Sequence, residues 1–231
     1  MSHKQNIVTI DGPSGVGKST ISRRVAAALG FTYLDTGAMY RAVALYLQRR
    51  GIDFGDEAAV SAALESLVLE LMPASDENSD VGVIVCGEEV SREIRTPRMS
   101  MAASAVSRLG VVREKLTVMQ QEIGSRGRIV AEGRDTGTVV FPRAAHKFFL
   151  DAEPGERVRR RVLQLRMQGE EADEKEILAL TVERDKNDSE RTLAPLRQAE
   201  DALAIDTTGL AIEEVCERVI EAVQRTSARR Q

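Results

Sequence analysis

Between a short apolar run and a helical pattern the chain reads Gly12-Pro13-Ser14-Gly15-Val16-Gly17-Lys18-Ser19-Thr20. A glycine, four residues and then Gly-Lys-Ser is the spacing of a phosphate-binding loop. Its glycines let the backbone curl until N–H groups converge on phosphate oxygens, and the helix that follows adds the positive end of its dipole. Lys18 would bridge the terminal phosphates of a bound nucleoside triphosphate, ATP foremost, and Ser19 would ligate Mg²⁺. The loop alone leaves the acceptor open. The base-reading Asn-Lys-x-Asp run of a GTPase is absent. The nearest approach to an apolar strand ending in a metal-binding acid is Ile129, Val130 and Ala131 leading to Glu132 and Asp135, two minor candidates for a water-mediated metal role.

Four arginines stand apart from one another in motif-like settings: Arg41 in "YLDTGAMYR", Arg134 in "EGRDTGTVVFP", and Arg184 and Arg191 in "ERDKNDSERTLAPL". A guanidinium fork binds phosphate bidentately. With 32 basic and 36 acidic residues the net charge is −4, so an anionic ligand needs such a local cluster rather than the field of the whole molecule. Nucleic acid is accordingly a poor partner, and 3% aromatic residues with no tryptophan offer no base-stacking platform. The run Arg157–Arg161, "RVRRR", reads as a solvated helix face, with Arg157 or Arg161 reaching ATP as the alternative. Neither His3, in the polar start, nor His146, before a strand, is placed for catalysis.

The elements that must position these groups follow from hydrophobic period. Ile7–Ile10, Phe31–Leu34, Ile129–Ala131, Phe148–Leu150 and Ala202–Ile205 read as short, fully buried strands separated by helical patterns, which gives a parallel sheet covered on both sides. The polar Asp35-Thr36-Gly37 turn then lies at a strand's C-terminal end, where ligands bind in such sheets. Val81, Val83 and Val85 alternate with Gly82, Ile84 and Cys86 and predict an inserted antiparallel sheet. The charged stretch from Gln164 to Asp188, broken by Gly169, predicts a helical flap, and 225–231 a frayed tail. At 231 residues this is one α/β unit with appendages. Cys86 and Cys216 sit in apolar patterns and read as buried thiols of a reducing compartment. No apolar run reaches the ~18 to 20 residues of a membrane span, and the start lacks a signal-peptide core; a cytoplasmic monomer away from membranes is the expectation.

Six motifs taken in order, "TIDGPSGVGKST", "YLDTGAMYRA", "EIRT", "EGRDTGTVVFP", "FFLDA" and "ERDKNDSERTLAPL", followed by "DALAIDTT", resemble the bacterial cytidylate kinase family over nearly the whole chain. The resemblance implies a three-layer nucleoside-monophosphate kinase fold with a five-stranded parallel sheet. It implies a core of 1–65, 126–163 and 189–231, an acceptor-binding insert at about 66–125 and a lid at about 164–188. It implies phosphoryl transfer from ATP, with Mg²⁺, to CMP or dCMP. Carried over by position, it places acceptor-phosphate contacts on Arg41, Arg134 and Arg191, base contacts on Ser104, Arg113 and Asp135, and ribose contacts on Arg184 and Asp188. Thr36 matches a position that is often serine in the family, with the hydroxyl kept. Cytosine offers an N4 donor that a carboxylate such as Asp135 accepts, beside N3 and O2 acceptors suited to Arg113 and Ser104. Uracil would set its O4 lone pairs against that carboxylate, so UMP is expected to be a poor substrate. The rivals are another small-molecule kinase on the same core, acting on UMP, AMP or a metabolite hydroxyl, and a nucleotide sensor without transfer.

Overall fold

The computed structural model describes residues 5–228 apart from 75, 77, 78, 168 and 170, and the side chains of 227 and 228 are outside it as well. His3 and the end of the expected frayed tail, 229–231, lie outside the described residues. The first strand, β1 (Gln5–Asp11), is central: it pairs in parallel with β6 (Ile129–Gly133), Ile7 opposite Ile129, and with β7 (Ala144–Asp151), Val8 opposite His146. Outside these lie β2 (Thr32–Asp35) and β8 (Leu203–Asp206), giving the order β2-β6-β1-β7-β8 with every neighbour parallel.

Apolar side chains on both faces need cover on both faces, and the chain supplies it. Ile7 turns into a cluster with Leu34, Met39, Val43, Leu47 and Leu116, built by α2 (Thr36–Arg49) and α5 (Gly110–Gly124). Val8 and Ile10 turn the other way, onto Ile21, Val25, Val215 and Val219 of α1 (Lys18–Leu29) and α8 (Ile212–Ala228). The expectation of five fully buried strands fails at both edges: in β8 only Ile205 is buried and Leu203 is 50% exposed, and in β2 Thr32 is exposed and Tyr33 half-buried. An edge strand has one neighbour and is less completely covered. His146 is likewise inside β7 and buried, rather than before the strand.

Between α2 and β6 come α3 (Glu57–Glu65), the small antiparallel sheet β3 (Leu69–Met72), β4 (Gly82–Val85) and β5 (Glu88–Glu89), then α4 (Pro97–Val106). Cys86 and Gly87 turn β4 into β5 with φ of 49° and 85°, the left-handed pair a two-residue hairpin requires. That turn exposes Cys86, against the expectation of a buried thiol; Cys216 is buried on α8, and neither is in a disulfide. After β7, α6 (Pro154–Met167) and α7 (Glu174–Glu190) pack on each other through Val158, Val162, Leu165 and Ile177, a cluster separate from the two main ones. Among the described residues no helix is long and apolar enough to cross a membrane.

The phosphate loop leaves β1 by passing directly over β7. Gly12 has φ +151°, and a Cβ there would stand 2.0 Å from the Leu150 carbonyl oxygen, a clash with backbone that cannot be relieved by a rotamer. At Gly155 a Cβ would meet nothing within 4 Å. In urea titrations Gly12→Ala should therefore lower the unfolding free energy by more than ~2 kcal/mol, while Gly155→Ala leaves it unchanged or raises it by up to ~1 kcal/mol.

Candidate active site

The loop Gly12–Gly17 joins the end of β1 to the start of α1, with Gly15 and Gly17 at φ 83° and 91°. Val16 points into the core, so its contribution to a ligand is its backbone. Lys18 is buried, and its Nζ donates to the Pro13 carbonyl at 2.5 Å, curled over the loop it belongs to. Ser19 and Thr20 follow in the first turn of α1, Ser19 exposed. The Glu132 carboxyl accepts from the Tyr33 hydroxyl; burial raises its pKa, and the Ser19 hydroxyl is near enough to oppose that rise. Glu132 Oε2 is buried with no hydrogen-bond partner. An orphaned carboxylate oxygen beside the loop hydroxyl fits a divalent cation or a water bound to it.

Helix α7 reaches the same loop. Arg184 Nη1 donates to Ser14 Oγ at 3.1 Å, and the Ser14 backbone N–H approaches Asp185 Oδ1 at 3.4 Å. The other Asp185 oxygen takes a close hydrogen bond from Arg157, whose Nη1 also donates to the Ser14 carbonyl at 3.1 Å and whose Nε donates to the Ala152 carbonyl at 3.0 Å. The expectation of a solvated face at 157–161 is thus wrong for Arg157, which is buried against the loop, and for Arg160, bound to Thr207 at 3.0 Å through Oγ1 and 2.6 Å through its carbonyl. Helical geometry explains the error: 157 and 160–161 share a face, and that face is turned to the loop and to the end of β8.

A second group of residues forms across the β6 end. Asp188 accepts from Arg134 Nε at 2.8 Å and from Ser104 Oγ at 3.3 Å, with Arg184 Nε at 4.0 Å. Asp135 Oδ1 accepts from Arg191 Nη2 at 3.1 Å, and Oδ2 from Arg113. Ser107 ties these together, its hydroxyl accepting from Arg191 Nη1 at 3.1 Å and its carbonyl from Arg113 Nη1 at 3.3 Å. Arg113 also lies over the Tyr40 ring, 5.7 Å from its centroid. Arg41 donates through Nη2 to Asp35 Oδ2 at 3.1 Å, while Asp35 Oδ1 caps α2 at the Ala38 N–H. Thr36 is at the first turn of α2, its hydroxyl donating to the Glu132 carbonyl at 2.6 Å, so it must turn to donate to a ligand.

The electrostatics are those of an anion site. Burial lowers the Lys18 ammonium well below its ordinary range, and the neighbouring Arg134 charge adds to this. Burial, with Arg134 again next, brings Arg184 down to about 10, and burial also lowers Arg191. Burial pushes the Asp188 carboxyl up, but Arg134 and Arg184 outweigh it and hold it below the usual range. Arg41 Nε and Arg184 Nε are buried donors with no hydrogen-bond partner. Cations crowded together with unused donors are stabilised by phosphate.

The residues expected to hold nucleotide therefore collect around the C-terminal ends of β1, β2 and β6, the phosphate loop on one side and Ser104, Arg113, Arg134, Asp135, Asp188 and Arg191 on the other. The sequence reading does not reach Asp11, Asp185 and Ser107, and it reaches Arg157 only as the alternative to a solvated helix face. Asp185 lies inside the same "ERDKND" stretch, and Asp11 ends the strand before the loop; both positions carried a signal. Asp11 Oδ1 accepts from Thr136 N–H at 2.9 Å and Thr136 Oγ1 at 2.8 Å, and Oδ2 from Gly137 N–H at 2.7 Å, which pins the Arg134–Asp135 turn to β1.

Comparison with known proteins follows the same line. A family model described as "Cytidylate kinase" matches residues 8–225. A cytidylate kinase of Geobacter sp. (strain M21) is 46% identical over 222 residues, 96% of this chain and 94% of that protein. A bifunctional pantoate ligase/cytidylate kinase of Synechococcus elongatus is 46% identical over 219 residues, 94% of this chain but 42% of the relative, so the chain spans less than half the length of such two-activity proteins. The crystal structure of an uncharacterized protein from Eubacterium ventriosum shares the fold, with a TM-score of 0.53 at 12% identity, over 96% of this chain and 99% of that one.

Burial, against the opposing hydrogen bonds from Gly137 and Thr136, raises the Asp11 carboxyl to about 6. An unfolded aspartate titrates near ~3.9. The folded state thus holds the proton more tightly: the stabilisation is complete below about pH 4 and is lost as pH rises through about 6. Relative to Asp11→Asn, the wild type should lose on the order of 2 to 3 kcal/mol of unfolding free energy between pH 4 and pH 7, read from urea titrations across that range.

Proposed function

The chain belongs to the cytidylate kinase family, and from that we propose that it transfers the terminal phosphoryl group of ATP to CMP and dCMP, releasing ADP with CDP or dCDP. The observation that carries the reading is the pairing, in one cleft, of a phosphate loop with the Ser104–Arg113–Asp135 group. Each Asp135 oxygen already accepts one guanidinium N–H, and an ionised carboxylate has about four lone-pair sites, so a cytosine amino group still finds an acceptor there. Arg113 supplies donors for N3 and O2, and Ser104 adds one once its hydroxyl turns from Asp188. Arg41, Arg134 and Arg191 hold the acceptor phosphate, and Arg184 and Asp188 the ribose. Residues 66–125 serve as the acceptor-binding insert and 164–188 as the lid. Every group named comes from one chain, so a monomer suffices.

The acceptor is a phosphate monoester with a second pKa near ~6, mostly ionised at neutral pH, so no side chain has to remove a proton from it. The protein's task is to place two anions in line and to neutralise their charge. Backbone N–H groups of Gly15 to Lys18 and the Lys18 ammonium hold the donor phosphates, Lys18 leaving the Pro13 carbonyl to do so. Arg134 and Arg41 exchange Asp188 and Asp35 for acceptor oxygens. Packing α7 over the loop excludes water that would otherwise take the phosphoryl group. Ser19 and Glu132 would hold Mg²⁺, and the ion would supply neutralisation of charge on the transferring group.

ADP release with ATP, Mg²⁺ and each of CMP, dCMP, UMP, AMP or no acceptor tests this. CMP and dCMP should drive release, with kcat/KM for UMP lower by about five- to 150-fold, since one mispaired buried polar contact costs ~1 to 3 kcal/mol. Lys18→Met should abolish CMP-dependent release. Release driven only by another acceptor, or independent of any, contradicts the reading.

A further inference from the structure

Helix α4 and the end of α7 meet in matched register, two hydroxyls against two charged groups. Ser104 Oγ donates to Asp188 at 3.3 Å, and Arg191 Nη1 donates to Ser107 Oγ at 3.1 Å, each pair 84 residues apart in the chain. Ser104 lies within α4 and Ser107 caps its C-terminal end; Asp188 lies within α7 and Arg191 caps that helix in turn. Residues at i and i+3 share a helix face, so one face of α4 presents both hydroxyls. The acceptor contacts proposed above take in Ser104, Asp188 and Arg191 and leave Ser107 without a part.

Its place at a helix end decides what Ser107 can do. There the last carbonyls lack intrahelical partners and the helix dipole is negative, which favours cations. The Ser107 carbonyl accepts from Arg113 Nη1 at 3.3 Å; its hydroxyl donates to the Ser104 carbonyl at 2.8 Å and so keeps its lone pairs for Arg191. Arg113 and Arg191 are both buried, and both also pair with Asp135, on opposite oxygens. Two residues, Ser107 and Asp135, thus set the spacing between these guanidinium groups. Arg191 is held at all its nitrogens: Nε by the Ala194 carbonyl at 2.8 Å, Nη1 by Ser107, and Nη2 by Asp135 at 3.1 Å. Each terminal nitrogen carries a second N–H beyond these bonds. Arg191 can therefore take phosphate oxygens without giving up a partner, whereas Arg134 and Arg41 must exchange theirs.

Resting on the kinase reading above, we propose that Ser107 is a positioning residue of the acceptor site, its hydroxyl fixing the Arg191 fork at a set distance from Arg113 so that phosphate and base are gripped together. It acts through Arg191 and leaves the donor side alone. A hydroxyl that served only to close the end of α4 would change stability and leave CMP binding as it is.

The test is steady-state ADP release with CMP and ATP varied in turn, for the wild type, Ser107→Ala, Ser107→Thr, Arg191→Lys and the double variant Ser107→Ala with Arg191→Lys. Ser107→Ala removes the acceptor for Arg191 and keeps the carbonyl that holds Arg113. It should raise KM for CMP about five- to tenfold with KM for ATP within about twofold, and Ser107→Thr, which keeps the hydroxyl, should stay within about twofold of the wild type. Arg191→Lys keeps the charge and gives up the fork, so adding Ser107→Ala to it should raise KM for CMP by less than about twofold more. A wild-type KM for CMP in Ser107→Ala, an equal rise in Ser107→Thr, or a full further rise in the double variant would overturn the proposal. Should Ser107→Ala fail to fold, Ser107→Cys, close in size and a weak acceptor, is held to the same criteria. Absence of CMP-dependent release in the wild type would overturn the kinase reading and this proposal with it, whereas the Ser107 outcomes overturn this proposal alone.

Discussion

The neutralisation of buried guanidinium groups by carboxylates is the constraint around which this protein is arranged. Asp188 shows it most clearly, held by Arg134 at 2.8 Å, by Ser104 at 3.3 Å and near Arg184 at 4.0 Å. Those partners come from the turn after β6, from α4 and from α7 itself, so one buried anion fastens three parts of the chain. Removing such an anion without replacing it would leave cations uncompensated, at a cost of about 3 to 5 kcal/mol. On the proposed reading, a phosphate arriving at Arg134 would meet that condition and let the partners exchange without unfolding.

The same arrangement recurs at the loop after β1, three residues earlier on α7. Asp185 and Asp188 lie at i and i+3 on α7, one directed to the Ser14 N–H and Arg157, the other to Arg134 and Ser104. A single helix therefore presents its own carboxylates to both halves of the cleft. The parallel sheet supplies what this needs beneath: β1 ends in the loop, β6 ends in Glu132 and the Arg134–Asp135 turn, and β2 ends in Asp35. Asp11, accepting three hydrogen bonds from Thr136 and Gly137, keeps the turn after β6 in register with the loop.

How far the chain's own pattern reveals this depends on the range of the interaction. The phosphate loop is local chemistry, glycines and a lysine at fixed spacing, and the core strands are local runs of β-branched residues, so both are visible without a structure. The small sheet is visible too, because the alternation through Val81, Val83 and Val85 has a period of two. The positions that misled are those where tertiary contact outweighs local pattern. Arg157 belongs to a charged run, yet it is buried because α6 packs against Gly15, where a Cβ would sit 3.1 Å from the Arg157 Cβ. Cys86 ends an apolar run, yet it is exposed because the chain turns there with positive φ. Asp11 and Ser107 act through partners 125 and 84 residues away, and no spacing rule reaches that far.

The most direct test is a crystal structure with CMP bound. The exchange account expects Arg134 Nε to have left Asp188 for the acceptor phosphate, with the cytosine amino group on Asp135 and Arg113 still paired to that carboxylate. An acceptor phosphate lying away from Arg41, Arg134 and Arg191, with the 2.8 Å bond between Arg134 and Asp188 intact, would contradict it.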